Sequence, residues 1–412
     1  MSQTDATGAR RLKQPELIAM LAAVFATVAF SIDAMLPALP QIAAELTPTD
    51  VNRAQLILTV FTAGMGIGTL FTGPISDAIG RKPTILFGFG IYLLAAIGAA
   101  FAQSLEMLLF ARFVQGLGAA APRVVGTALI RDMYQGRDMA RITSFVMMVF
   151  MIVPALAPSI GQGFIYFLGW RGVFLAFVLF GLISVTWFSV RQPETLPIQR
   201  RRPLNPRLLW SGIKEVLSDR EIVLYTLTLA LGFGQMFGLL SSAQQLFGEA
   251  YGKGDNFPRW FALLAILSAC GMFLNSRLVM TVGMRRIARG AYVMQICMSA
   301  IFLTLLLTGV LPAALSFPVF FIWAVSVFMM AGLTFGNLNA LAMQRKGHIA
   351  GMTASVVSAF STVAAVCIAA PVGLAYNGTA VPVAISTLVC STVACIILSF
   401  LMNPHEDQAG GH

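Results

Sequence analysis

Charge is what this chain has least of. Only 11% of its 412 residues are Asp, Glu, Lys or Arg, whereas 58% are hydrophobic, and the mean hydropathy is +0.81. Soluble domains carry about a quarter charged residues, so a water-soluble fold is excluded and the chain reads as an integral membrane protein. Metal ligands are scarce too, with three histidines and five cysteines. Cys270, Cys297, Cys367, Cys390 and Cys395 fall in apolar windows without ligand spacing, which points to small core residues rather than a metal set or disulfides. No histidine cluster, Asp-rich metal motif or nucleophile with a base partner is present, so no enzyme, cofactor or metal is expected.

What is abundant is long apolar sequence. Windows of about 20 largely apolar residues, enough for a helix to cross a bilayer, recur near 17–38, 53–75, 83–102, 105–131, 142–166 and 172–190. Six more follow near 221–247, 258–280, 287–309, 317–343, 349–375 and 380–402. The expected fold is therefore an all-α membrane protein of twelve spans in two halves, 1–190 and 220–412. Between them, 191–219 is proline-rich and basic and reads as a linker with a short amphipathic surface helix from about 207 to 218. No cleavable signal peptide is expected, because the first apolar segment is long enough to be the first span. With both termini cytoplasmic, 21 of the 27 basic residues lie on inside segments and four outside, with Arg112 and Arg123 within spans. That asymmetry is the positive-inside pattern. Basic loops against anionic lipid then account for the net charge of +10 without nucleic acid.

Arg112 and Arg123 occupy one apolar run, Leu105 to Arg131. At 100° per residue they stand only about 20° apart around a helix, with Gly116 and Ala119 on the same face. A face that combines charge with small residues should meet a water-filled cavity or another helix, never lipid. Asp33, in SIDAMLPALP, is the one acid well inside a span of the first half, at a depth close to that of Arg112. It reads as a functional acid that can pair with Arg112 directly or through water, or as the cap of a bend before Pro37 and Pro40. Arg123 either faces the cavity, where it opposes a cationic substrate, or snorkels to the interface near Arg131.

The second apolar run carries Gly64, Gly66 and Gly68 and ends in Gly73-Pro-Ile-Ser-Asp77-Ala-Ile-Gly80-Arg81-Lys82, a charged hairpin. Ser276-Arg277-Leu-Val-Met-Thr-Val-Gly283-Met-Arg285-Arg286 repeats it in degraded form, so the halves read as copies of one unit, a pattern of transporters. Pro154, Pro158, Gly161 and Gly163 give the fifth span a small-residue face, serving either bending or packing. In the second half the polar residues within spans are mostly amides: Gln235, Gln244, Gln245, Asn275, Gln295, Asn337 and Asn339, with Phe233, Phe237 and Phe335 among them. They suit either an amphipathic ligand or hydrogen bonds between helices. His348 opens the eleventh span at the surface, where a metal or proton role is not expected, and the polar end from 404 reads as disordered.

Together these residues resemble the major facilitator superfamily, specifically its twelve-span drug:proton antiporters of the bicyclomycin and chloramphenicol resistance type. Gly73, Asp77, Gly80, Arg81 and Lys82 match the family's hairpin signature, with Ala78 where a basic residue is usual. Leu108, Arg112, Gln115, Gly116 and Gly118 match the signature of the fourth span. The fifth-span motif departs, having Ala157-Pro158 and Gly161-Gln162 in place of Gly-Pro and a paired glycine. The resemblance implies proton-coupled efflux of small amphipathic compounds across the inner membrane by alternating access. A proton-coupled carrier of one metabolite or siderophore is the alternative. Asp33 and Arg112 would couple the proton, and Phe30, Gln115, Arg123, Gln235, Phe237 and Asn337 would line the substrate cavity. Gly73, Asp77, Gly80, Arg81, Lys82, Pro158 and Gly161 would serve gating, with Asp77 facing the start of the eleventh span near Gly347 to Gly351. The partners implied are a small-molecule substrate, protons and bilayer lipid, with the chain working as a monomer.

Overall fold

The computed structural model describes residues 13–346 and 349–401, and every regular element among them is a helix. Arg10 and Arg11, the expected Gly347-His348 opening of the eleventh span, and the end from 404 lie outside the described residues. Helices α1 (Gln14–Asp33) and α2 (Leu39–Leu46), joined by a turn at Leu36–Ala38, form the first span. The next five are α3 (Leu56–Ile79), α4 (Arg81–Ala100), α5 (Leu105–Met133), α6 (Gly136–Leu168) and α7 (Arg171–Arg191). After α8 (Pro206–Ser218) come α9 (Arg220–Gln245), α10 (Phe257–Val282), α11 (Met284–Thr308), α12 (Ala313–Gln344), α13 (Ala350–Leu374) and α14 (Val381–Leu401). Among the described residues 12 helical stretches are long and apolar enough to cross a membrane, as the windows predict. The first runs further than its window, through Leu46, because the apolar pattern resumes after the prolines.

That first span breaks for a local reason. Proline has no N–H, and its ring collides with the carbonyl four residues earlier. Pro37 thereby strikes out the helical bond to Asp33, and α1 ends at that residue. The chain re-forms as helix from Leu39, with Pro40 tolerated in the first turn.

The chain divides into two compact units, Met1–Leu209 and Trp210–His412, so the division falls inside α8. Within the first unit α1 packs on α5, α6 and α7, α3 and α4 both pack on α5, and α4 packs on α7. Within the second, α9 packs on α12, α13 and α14, α10 and α11 both pack on α12, and α11 packs on α14. Span for span this is one pattern used twice. Close approach makes it possible. Gly116 of α5 lies on the backbone of Phe61 and Met65 in α3, where a Cβ would collide with the Phe61 carbonyl.

The repeat reaches down to a single backbone turn. Gly80 ends α3 and starts α4 with φ 112° and ψ 163°; Gly283 ends α10 and starts α11 with φ 88° and ψ 150°. This region is essentially closed to residues with a Cβ, at a cost of about 1–3 kcal/mol. Around Gly283 the space is open, whereas a Cβ on Gly80 would also strike the Glu194 carboxylate. Gly283→Ala is therefore expected to lower stability by about 1–3 kcal/mol from strain alone, and Gly80→Ala by more. Thermal unfolding of the purified variants in detergent checks the order; equal losses would contradict it.

Candidate functional site

Arg112 is fully buried, and each nitrogen of its guanidinium donates to an oxygen acceptor. Nη1 donates to Gln115 Oε1 (2.7 Å), Nη2 to the Ser31 carbonyl (3.0 Å) and Nε to the Ile57 carbonyl (3.4 Å). The Phe61 ring lies 4.2 Å beneath it. The Ser31 carbonyl belongs to α1 and the Ile57 carbonyl to α3, so one cation on α5 ties three spans. Ser31 extends the network, since its Oγ lies 2.6 Å from the Tyr92 hydroxyl of α4.

Asp33 is two residues from Ser31 and 6% exposed. Among the described residues no hydrogen bond or ion pair engages its carboxyl. The direct pair with Arg112 anticipated from matching depth is thus not made. Ser31 holds the guanidinium through its carbonyl, while the break at Asp33 turns the acid out of that network. Behind the break stands α6. Its Gly161 meets the Ala34 carbonyl so closely that a Cβ would collide, with Ala157 and Pro158 buried beside it. Ala157, Pro158 and Gly161 thus form a packing notch for the bent first span, whereas Gly163 of the same run is exposed with nothing near it.

The hairpin residues gather at the other end of α3. Arg81 is 5% exposed and bridges Asp77 (2.6 Å) and Asp132 (2.7 Å), with Ser76 Oγ at 2.9 Å. Glu194 was not singled out in the sequence, yet its carboxylate accepts from four backbone N–H groups. They are those of Arg81 (3.0 Å), Lys82 (3.1 Å), Thr195 (2.9 Å) and Leu196 (2.8 Å). Lys82 Nζ donates to the Ser189 carbonyl (2.6 Å), and the Arg202 N–H donates to the Asp77 carbonyl (2.9 Å). The linker is thus laced to the hairpin. Gly73 is half-buried beside Pro74 within α3. Asp132 and Glu194 carry no motif of their own; their only signal is acidity next to basic hairpin residues.

The residues expected to line a cavity separate into two sets. Phe30 is buried against Phe177 and Phe180, at 5.7 and 5.3 Å between ring centres. Gln115 holds Arg112, and Gln235 accepts from Ser391 (2.9 Å). Asn337 donates to Asn275 (2.7 Å) and to the Leu333 carbonyl (2.9 Å). These four are engaged in packing within their own units. Phe237 is half-buried beside Phe233, which contacts Phe335 at 4.0 Å. Arg123 is half-buried, with Nη1 3.7 Å from the Met65 sulfur.

A twice-used six-helix unit, spanning the membrane with a buried acid and a buried guanidinium inside its first copy, defines a membrane transporter of small molecules. The family model of the Major Facilitator Superfamily matches residues 20–371, and the chain belongs to that family. Among relatives, a bicyclomycin resistance protein homolog of Haemophilus influenzae is 29% identical over 92% of this chain and 94% of its own. A chloramphenicol resistance protein of Pseudomonas aeruginosa is 35% identical over 57% of this chain and 55% of its own. The fold matches the xylose transporter XylE from E. coli in a partially occluded inward-open conformation, with TM-score 0.72 and 11% identity. The match covers 95% of this chain and 98% of that one.

Removing the Glu194 carboxylate leaves four N–H groups without their acceptor. Hydrogen bonds to a charged group contribute about 1.5–3 kcal/mol each when buried and less when half-exposed. Glu194→Ala is therefore expected to destabilise the protein by about 1–3 kcal/mol, with Glu194→Gln intermediate. Thermal unfolding reads this out, and an unchanged midpoint would show that the linker does not depend on the contact.

Proposed function

We propose that this chain is a proton-driven exporter of small amphipathic compounds, working as a monomer in the cytoplasmic membrane with both termini on the cytoplasmic side. One observation carries the reading: a buried carboxyl within a span, at a proline-made break, that no donor among the described residues engages. An intramembrane charge is costly and marks function by default. Free of a fixed partner, Asp33 can exchange its proton when access to it alternates between the two sides of the membrane. Arg112 serves as the fixed member, anchoring the strand of chain that carries the acid. Proton entry to Asp33 from outside releases substrate outward, and proton loss inward restores binding. The names of the bicyclomycin and chloramphenicol resistance relatives support the direction and the substrate class.

The driving force suffices. A potential of about 100 mV supplies about 2.3 kcal/mol per charge, equivalent to about a fiftyfold concentration ratio. Asp33→Asn is expected to abolish proton movement driven by chloramphenicol in proteoliposomes carrying the full chain, while the folded protein is retained. Full proton-coupled transport by that variant would overturn the assignment of the carrier.

A further inference from the structure

Two guanidinium groups lie on one stripe of α5 and are treated oppositely. Arg112 reaches three oxygen acceptors and an aromatic face. Arg123 reaches one thioether, and among the described residues it makes no ion pair and no hydrogen bond to oxygen. Sulfur is a weak acceptor, and a guanidinium carries five N–H donors. The hydroxyls nearest in α3 are turned away onto their own helix: Thr62 donates to the Leu58 carbonyl and Thr69 to the Met65 carbonyl. Apart from the Met65 sulfur, the donors of Arg123 find no acceptor among the described residues.

Snorkelling does not account for this. Side chains on a helix tilt toward its N-terminus, and the Arg123 guanidinium accordingly sits at the level of Met65. That residue is about 14 Å from the start of α3 and about 21 Å from its end. The cation is held near mid-span, where an arginine is most costly, rather than at an interface. Arg112 is held by neutral acceptors only, so with Asp33 as the one acid well inside a span of the first half, the formal charge of Arg112, Arg123 and Asp33 together is positive.

We propose that Arg123 is an anion-binding residue that selects amphipathic carboxylates over cations of the same size, its planar fork matching two carboxylate oxygens. This deepens the efflux reading and rests on it for the direction of transport. It also gives the cycle a different electrical character. Proton import against export of a monoanion moves two charges inward per cycle, where a neutral substrate moves one.

The test uses the full chain in lipid nanodiscs and equilibrium dialysis of radiolabelled naphthylacetate, naphthylethanol and naphthylethylammonium. Wild type is expected to bind naphthylacetate at least tenfold more tightly than naphthylethylammonium. Arg123→Gln should bring that ratio to within twofold of unity, and Arg123→Lys should restore part of it, with thermal unfolding establishing that each variant is folded. Equal wild-type binding of the anion and the cation, no binding of any probe, or an unchanged ratio in Arg123→Gln would each overturn the proposal. Chloramphenicol-driven proton movement, measured on the same preparation, separates the two readings. If it occurs without a charge preference, only the role of Arg123 falls; if the preference stands without it, only proton-driven efflux falls.

Discussion

Within the hydrocarbon of a bilayer no water is present to bond a polar group, so every buried donor, acceptor and charge must be met by the chain itself or be kept for function. Most of this molecule obeys the first half of that rule. Arg112 illustrates it: three acceptors on α1, α3 and α5 meet its donors, and a buried guanidinium becomes a tie between helices. Gln235 with Ser391 and Asn337 with Asn275 do the same in the second unit, binding α9 to α14 and α12 to α10. Hydroxyls such as Thr62 and Thr69 bond their own helix and leave the interfaces to packing.

Single amide atoms such as Gln115 Nε2, Gln235 Nε2 and Gln295 Oε1 escape that accounting among the described residues, and so do two charged groups within the spans, Asp33 and Arg123. Each of these two charged groups is placed by an ordinary local device. The ring of Pro37 ends α1 at the acid, and the notch at Gly161 supports the bend. The tilt of helical side chains carries the Arg123 guanidinium toward Met65 at mid-span. The proposed proton site and the proposed anion site both rest on backbone geometry combined with the lack of an oxygen partner among the described residues, and both lie in the first unit. At the end of α3 the opposite holds. Arg81, Asp77, Asp132 and Glu194 are bonded to one another or to backbone, and the linker is part of the cluster. There, hydrogen bonds tie sequence-distant segments where lipid no longer forbids water.

Span count, the duplicated unit and the hairpin turn were legible in the residues because each depends on local pattern. Apolar length is set by bilayer thickness, and Gly80 and Gly283 are set by a backbone conformation that other residues rarely adopt. The family signature at Arg112 and Gln115 was legible for the same reason, since the pair bond each other one turn apart on α5. What residue type could not convey was which polar groups would find one another. Depth along two helices suggested that Asp33 meets Arg112, but depth leaves rotation about each helix axis open, and rotation gave the guanidinium to the Ser31 carbonyl instead. The same limit hid Glu194, whose role depends on a linker folding back more than a hundred positions to the α4 N-terminus.

The sequence by itself determined that the chain crosses the membrane as helices, that its halves are copies and that charge inside the spans is rare, because these are matters of composition and period. Tertiary structure alone decided which of those charges are satisfied and which are left over. Satisfaction depends on distances of a few ångströms between helices far apart in the chain, and no one-dimensional pattern encodes them.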